Sequence, residues 1–193
     1  MALRRGAALG TLVLLLAAAG PARALVLQLG SAEIEQAIVL GRQSVADEEF
    51  GDEWRRELPD GAELAVTTPF LRVVQAARVA AFKGEALGDK QRNEAIDRGK
   101  GKIQLTLTTY GRTIDFTRWY QPVLLVAGKE VKAVFTQNER TARRLDDGRF
   151  QAHNIYVFPL EEVPARGTVT LLVRHAIEQK ELFRASLDLG KVR

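Results

Sequence analysis

The chain reads as an α+β protein, with a helical N-terminal portion followed by an antiparallel β-sandwich. Three observations carry that reading. An apolar leader occupies the first 24 residues, a helical hydrophobic period runs from Ser31 to about Arg98, and the period changes to two after Gly99-Lys100-Gly101. The expected units are therefore a signal peptide over 1–24, a helical region over 25–100 and a β-sandwich over 101–193.

Met1 to Ala24 has the composition of a secretory leader. Arg4 and Arg5 form its basic start, Ala7 to Ala19 an apolar run, and Ala22-Arg23-Ala24 a small-x-small cleavage site, so the mature chain would begin at Leu25. The apolar run is well short of the ~20 residues a membrane-spanning helix needs. No stable membrane span is expected after cleavage, and the Ala/Arg-rich leader fits a bacterial periplasmic or secreted protein.

Losing Arg4, Arg5 and Arg23 leaves 25 basic against 24 acidic residues. So small an excess gives no reason to expect a nucleic-acid partner. There is no cysteine, which excludes a disulfide framework, a thiol nucleophile, a Cys-ligated metal and a lipidated cysteine.

In the helical region Ser31 is placed as an N-cap, with Glu33 and Glu35 near the positive helix end. Ile34, Ala37, Ile38 and Val45 share one helix face, and Phe50, Trp54 and Leu58 repeat every four residues up to the turn at Pro59-Asp60-Gly61. Thr68-Pro69 opens the next helix as cap and first helical residue, and Phe70, Val73, Val74, Ala77, Ala80 and Ala81 face inward from it. Gly84 and Gly88 interrupt the pattern before a short charged helix from Asp89 to about Arg98.

Beyond the Gly99–Gly101 hinge, Ile103, Leu105 and Leu107 alternate with Gln104, Thr106 and Thr108. Val123–Val126 is a short apolar run, followed by a turn at Gly128-Lys129 and a strand with Val131, Ala133 and Phe135 on one face. Phe150–Phe158, Thr168–Val173 and Leu182–Leu189 complete the strands. Their number, spacing and turn punctuation suit an immunoglobulin-like sandwich, although the Cys–Trp–Cys landmark is absent. This is a resemblance of architecture alone.

Chemistry is sparse. His153 and His175 stand in no spaced pair, so a hydrolytic site would require His153 to meet Glu161 or Asp147 in the fold. Asp47, Glu48, Glu49, Asp52 and Glu53 read as the solvated face of a helix whose apolar side holds Phe50 and Trp54. Ser31, Ser44 and Ser186 lack a nucleophile-elbow setting, and Gly99-Lys100-Gly101-Lys102 lacks the helix of a phosphate loop.

Two clusters are left as candidate binding residues. Tyr110, Phe116, Trp119 and Tyr120, interleaved with Arg112 and Arg118, could form a sugar- or peptide-binding surface. The simpler expectation is that Trp119 is the core tryptophan, with Phe116 packed below it. Arg140, Arg143 and Arg144, facing Asp146 and Asp147, could hold an anion or form a charged sheet edge. The leading expectation is a non-catalytic exported protein acting through protein contacts, without cofactor or metal. Glycan binding at Trp119 and Tyr120 is the alternative, and a His153-centred hydrolase the third.

Overall fold

A computed structural model describes residues 25–26 and 28–192, and the expected leader lies outside them. Among the described residues the fold is mixed α+β, with three helices and two antiparallel sheets. The helices are α1 (Ser31–Gln43), α2 (Pro69–Phe82) and α3 (Asp89–Gly99). The strands are β1 (Arg55–Glu57), β2 (Glu63–Thr67), β3 (Lys102–Gly111), β4 (Tyr120–Val126), β5 (Lys129–Lys132), β6 (Phe135–Gln137), β7 (Arg143–Arg144), β8 (Phe150–Pro159), β9 (Thr168–His175) and β10 (Glu181–Asp188). One sheet runs β1-β2-β3-β8-β6 with β7 also on β8, and the other runs β10-β9-β4-β5.

The clearest local signals produce the expected elements. Thr68 caps α2, its Oγ1 accepting from the Leu71 N–H at 3.0 Å, a contact worth about 1 kcal/mol. Phe70, Val73, Val74, Ala77 and Ala80 are buried, whereas Ala81 is only half-buried. In β3 and β8 the alternation puts Leu105 opposite Tyr156 and Ile103 opposite Phe158, all four buried. One hydrophobic cluster then joins Phe70, Val73 and Val74 of α2 to Leu105 and Tyr156 of the first sheet and Leu124, Leu171 and Ala185 of the second. Each of the Phe, Val and Leu side chains among them contributes about 1.5–3 kcal/mol on burial.

Four local expectations need correction. Ser31 is the first residue of α1 rather than its cap, a position held by Gly30 without a side-chain bond. The acidic run is not helical. The Asp47 carboxylate accepts from the Glu49 N–H at 3.0 Å, Gly51 has a left-handed φ of 107°, and only a 3₁₀ turn follows, over Asp52–Trp54. An Asx turn and a left-handed glycine both divert a helix, even where the apolar spacing suits one. Phe50 and Trp54 still meet, with ring centroids 5.7 Å apart.

The third correction is that two strands lie within the stretch read as helical. β2 pairs with β3 from Glu63↔Thr108 to Thr67↔Gln104, so residues on either side of Gly99–Gly101 share one sheet. Glu63 to Thr67 does alternate, but only over five residues, between two longer helical patterns. The fourth concerns Val131, Ala133 and Phe135, which do not share a strand face. Val131 is buried in β5, and the chain then crosses to the other sheet, where Phe135 starts β6 and is exposed.

Two glycines fit α2 closely against its neighbours. A Cβ on Gly41 would lie 2.3 Å from the Val74 carbonyl oxygen and 2.8 Å from the Ala77 Cβ, and one on Gly99 would lie 2.9 Å from the Pro69 Cα. Gly41→Ala should therefore destabilise the protein by at least ~1 kcal/mol. The backbone clash should outweigh the ~1 kcal/mol that alanine gains in helix propensity. A denaturant midpoint equal to or above wild type would show that α1 shifts freely on α2.

Candidate functional site

The strand register brings four connections to one end of the two sheets. β2 starts where β3 ends, with Glu63 beside Thr108, and Gly111 at the end of β3 faces Phe150 at the start of β8. Tyr120 at the start of β4 faces His175 at the end of β9, from which the chain turns into β10. The turns 58–62, 112–119, 145–149 and 176–180 therefore gather there.

The 112–119 loop is held by buried polar groups. Asn154 is fully buried on the inner face of β8; its Nδ2 donates to the Leu107 carbonyl at 3.2 Å and its Oδ1 accepts from the Glu139 N–H at 3.2 Å. The buried Thr117 hydroxyl donates to the Glu139 carbonyl at 2.6 Å, and Asn138 Nδ2 donates to the Tyr120 carbonyl at 2.7 Å. The Ala176 N–H donates to the Trp119 carbonyl at 2.8 Å, tying this loop to the β9–β10 turn. Phe116 packs at 6.1 Å, edge to face, on Tyr120, in space available only because residue 111 is glycine. A Cβ there would lie 2.2 Å from the ring. Asn154 and Thr117, satisfied in this way, fix the loop more rigidly than apolar packing alone, whereas the buried Asn138 Oδ1 has no hydrogen-bond partner among the described residues.

Trp119 is therefore not the core tryptophan. It is 43% exposed, whereas Trp54 is 3% exposed and fills the core. The Arg118 guanidinium lies 5.0 Å from the Trp119 ring centroid, and the His175 ring lies 6.4 Å away on the other strand end. Tyr120, beside it, is half-buried. Burial pushes the Tyr120 phenol above its usual pKa, and a hydrogen bond with Thr109 partly offsets this.

Next to Tyr120 is a cavity of about 490 Å³, lined by Tyr110, Arg112, Arg149, Asp60 and Phe183 among others. Arg149 is held in its lining, with Nε donating to Asp147 Oδ2 at 2.7 Å and the guanidinium 5.0 Å from the Tyr110 ring centroid. Accepting from Arg149 holds the Asp147 carboxyl below its usual pKa.

The other candidate residues fall elsewhere. Arg143 and Arg144 form the exposed strand β7, and Arg143 Nη2 donates to Gln151 Oε1 at 2.7 Å. The ion-pair partner of Asp147 is Arg149, not one of the arginines at 140, 143 and 144. His153 Nδ1 meets Thr108 Oγ1 at 3.0 Å, and the Glu139 carboxylate takes the backbone N–H of His153 rather than its ring. Asp147 precedes β8 and Glu161 follows it, and a ten-residue strand spans roughly 30 Å. His153, Asp147 and Glu161 are not brought together. Among the described residues no three His, Asp or Glu side chains are placed to hold a metal ion.

Asn154, Thr109 and Arg149 carry no role in the sequence reading, and Phe183 reads there only as one of the alternating apolar residues of the last strand. For Asn154 a signal exists: it occupies an inward position in the alternation Ala152, Asn154, Tyr156, Phe158, and a polar residue there needs internal partners. Tyr156 poses the opposite case. It is fully buried, and its hydroxyl has no hydrogen-bond partner among the described residues. Burial, and secondarily the neighbouring Tyr120, pushes its phenol well above the usual range.

Tyr156→Phe should therefore leave stability unchanged or raise it by about 1 kcal/mol. Because the folded-state pKa is raised, the stability linked to this proton is complete below the unfolded value of about 10 and is lost as pH rises above it. Urea melts of wild type should weaken above about pH 10 more steeply than those of the phenylalanine variant. A variant weakened at neutral pH would show that the hydroxyl is satisfied.

No protein-family model matches the chain, and no curated protein matches it. Among solved structures, it is similar to the crystal structure of a protein of unknown function from Burkholderia pseudomallei. Identity is 12%, 82% of this chain and 90% of that one are covered, and the TM-score is 0.42.

Proposed function

We propose that this is an exported, non-catalytic recognition module that binds a glycan at the loop end of its two sheets. The observation that carries the reading is the exposure of Trp119 (43%) on a loop pinned by Asn154 and Thr117. An exposed indole on a rigid loop offers a flat apolar face at little entropic cost, as sugar rings require. Arg118 and His175 beside it add polar partners. Export rests on the composition of the leader.

Strand order supports an immunoglobulin-like reading of the sandwich. The orders β2-β3-β8-β6 and β10-β9-β4-β5 correspond to A-B-E-D and G-F-C-C′ of that architecture. On this assignment α2 and α3 are inserted between the A and B strands. The loops bearing Trp119 and His175 become B–C and F–G, at the end that variable domains use for recognition.

Trp119→Ala should abolish retention on immobilised cell-wall oligosaccharides while leaving the thermal midpoint within a few degrees of wild type. Full retention by the folded variant would refute the reading. A second reading, docking of a protein partner, is favoured by Phe82 and Val79, which are 80% and 56% exposed on α2.

A further inference from the structure

We infer that the cavity beside Tyr120 is a subsite for an acidic sugar, with the sugar carboxylate held by Arg112 and Arg149 and a ring hydroxyl by Asp60. The inference rests on the glycan reading and adds the chemical class of the ligand. The cavity, about 490 Å³, has the size of a small-ligand pocket.

Its charged groups are of both signs. Arg112 and Arg149 present guanidinium donors, which match a carboxylate in a planar, two-bond geometry. Arg149 is already positioned, by Asp147 at 2.7 Å and by the Tyr110 ring, so little of its freedom is left to lose on binding. Tyr110 is itself fixed, its hydroxyl accepting from Gln151 Nε2 at 3.0 Å.

Asp60 sets the limit on ligand charge. It has a left-handed φ of 62°, unusual for a residue with a side chain, in a hairpin closed by the Leu58 N–H to the Ala62 carbonyl at 2.8 Å. A doubly charged phosphate would meet this carboxylate unfavourably. A ligand with one carboxylate and neighbouring hydroxyls satisfies both signs, the hydroxyls donating to Asp60. Phe183 supplies an apolar wall for the ring.

The test is calorimetric titration of the mature chain with an oligogalacturonide, its fully methyl-esterified form, a glucuronate-containing oligosaccharide and neutral cell-wall oligosaccharides. The uronate ligands should bind, with affinity falling as salt rises, and the ester should bind at least about tenfold more weakly. Arg112→Gln, an exposed change, should weaken uronate binding by about tenfold without moving the melting midpoint. Asp60→Asn, which tolerates the same backbone conformation, should weaken it by a smaller factor. Equal binding of acid and ester, or uronate binding untouched by Arg112→Gln, would overturn the inference. If only neutral saccharides bind, the acidic subsite fails and the glycan reading stands; if no saccharide binds, both fail.

Discussion

Trp54→Ala should lower stability by about 3–5 kcal/mol, the cost of emptying a large buried aromatic site, and Trp119→Ala by less than ~1 kcal/mol. Trp54 is 3% exposed and packs on Phe50 within the main cluster. Phe50 is in turn covered by the Arg78 guanidinium, 4.1 Å from its ring centroid. In a chain of this length the Trp54 loss corresponds to a fall of roughly 10 °C in Tm. Fluorescence separates the two residues: with Trp119 replaced, the emission from Trp54 should be blue-shifted and resist acrylamide, whereas Trp119 alone should be quenched. The opposite pattern would return Trp119 to the core and remove the basis of the glycan reading.

The second large effect is on truncation. A fragment of residues 101–193 should not fold by itself, although it holds most of the strands. Without β2, strand β3 loses its partner along Glu63–Thr67, and Leu107 and Leu105 lose their cross-strand neighbours Leu64 and Val66. Loss of α2 also uncovers cluster residues packed with Phe70, Val73 and Val74. An unpaired apolar edge and an open core face lead to aggregation. A chain of residues 25–193 should unfold in one transition, and the fragment should show poor amide dispersion and bind hydrophobic dye. A cooperative melt of the soluble fragment would instead establish 101–193 as an independent domain.

Elements whose signals lie within a few residues were legible. Thr68-Pro69 announces α2 because cap and first-turn proline act locally, and Gly88 with Asp89 does the same for α3. β3, β8 and β10 are long enough for alternation to stand out. The segment from Asp47 to Leu58 misled because spacing every four residues specifies a side, not a backbone. Phe50 and Trp54 reach the same side through a turn at Gly51. Val131, Ala133 and Phe135 alternate across a crossover between sheets, which periodicity does not register.

The candidate site was legible only as a cluster of aromatics and arginines in the connection between β3 and β4. Its partners Asn154, His175 and Phe183 come from strands far along the chain and Arg149 from the turn before β8, and only strand pairing brings them to one end. The sequence by itself determined the α+β character, the N-terminal cap of α2 and the longer alternating strands, since each depends on near-neighbour sterics and hydrogen bonds. Tertiary structure alone decided which tryptophan is buried. Trp54 and Trp119 are both flanked by charged and aromatic residues, and nothing local distinguishes them. Burial is settled by what the rest of the chain lays over each ring: Trp54 is enclosed by the cluster that β2 and α2 help to build, while Trp119 sits on a loop held down by its backbone, with its ring left at the surface.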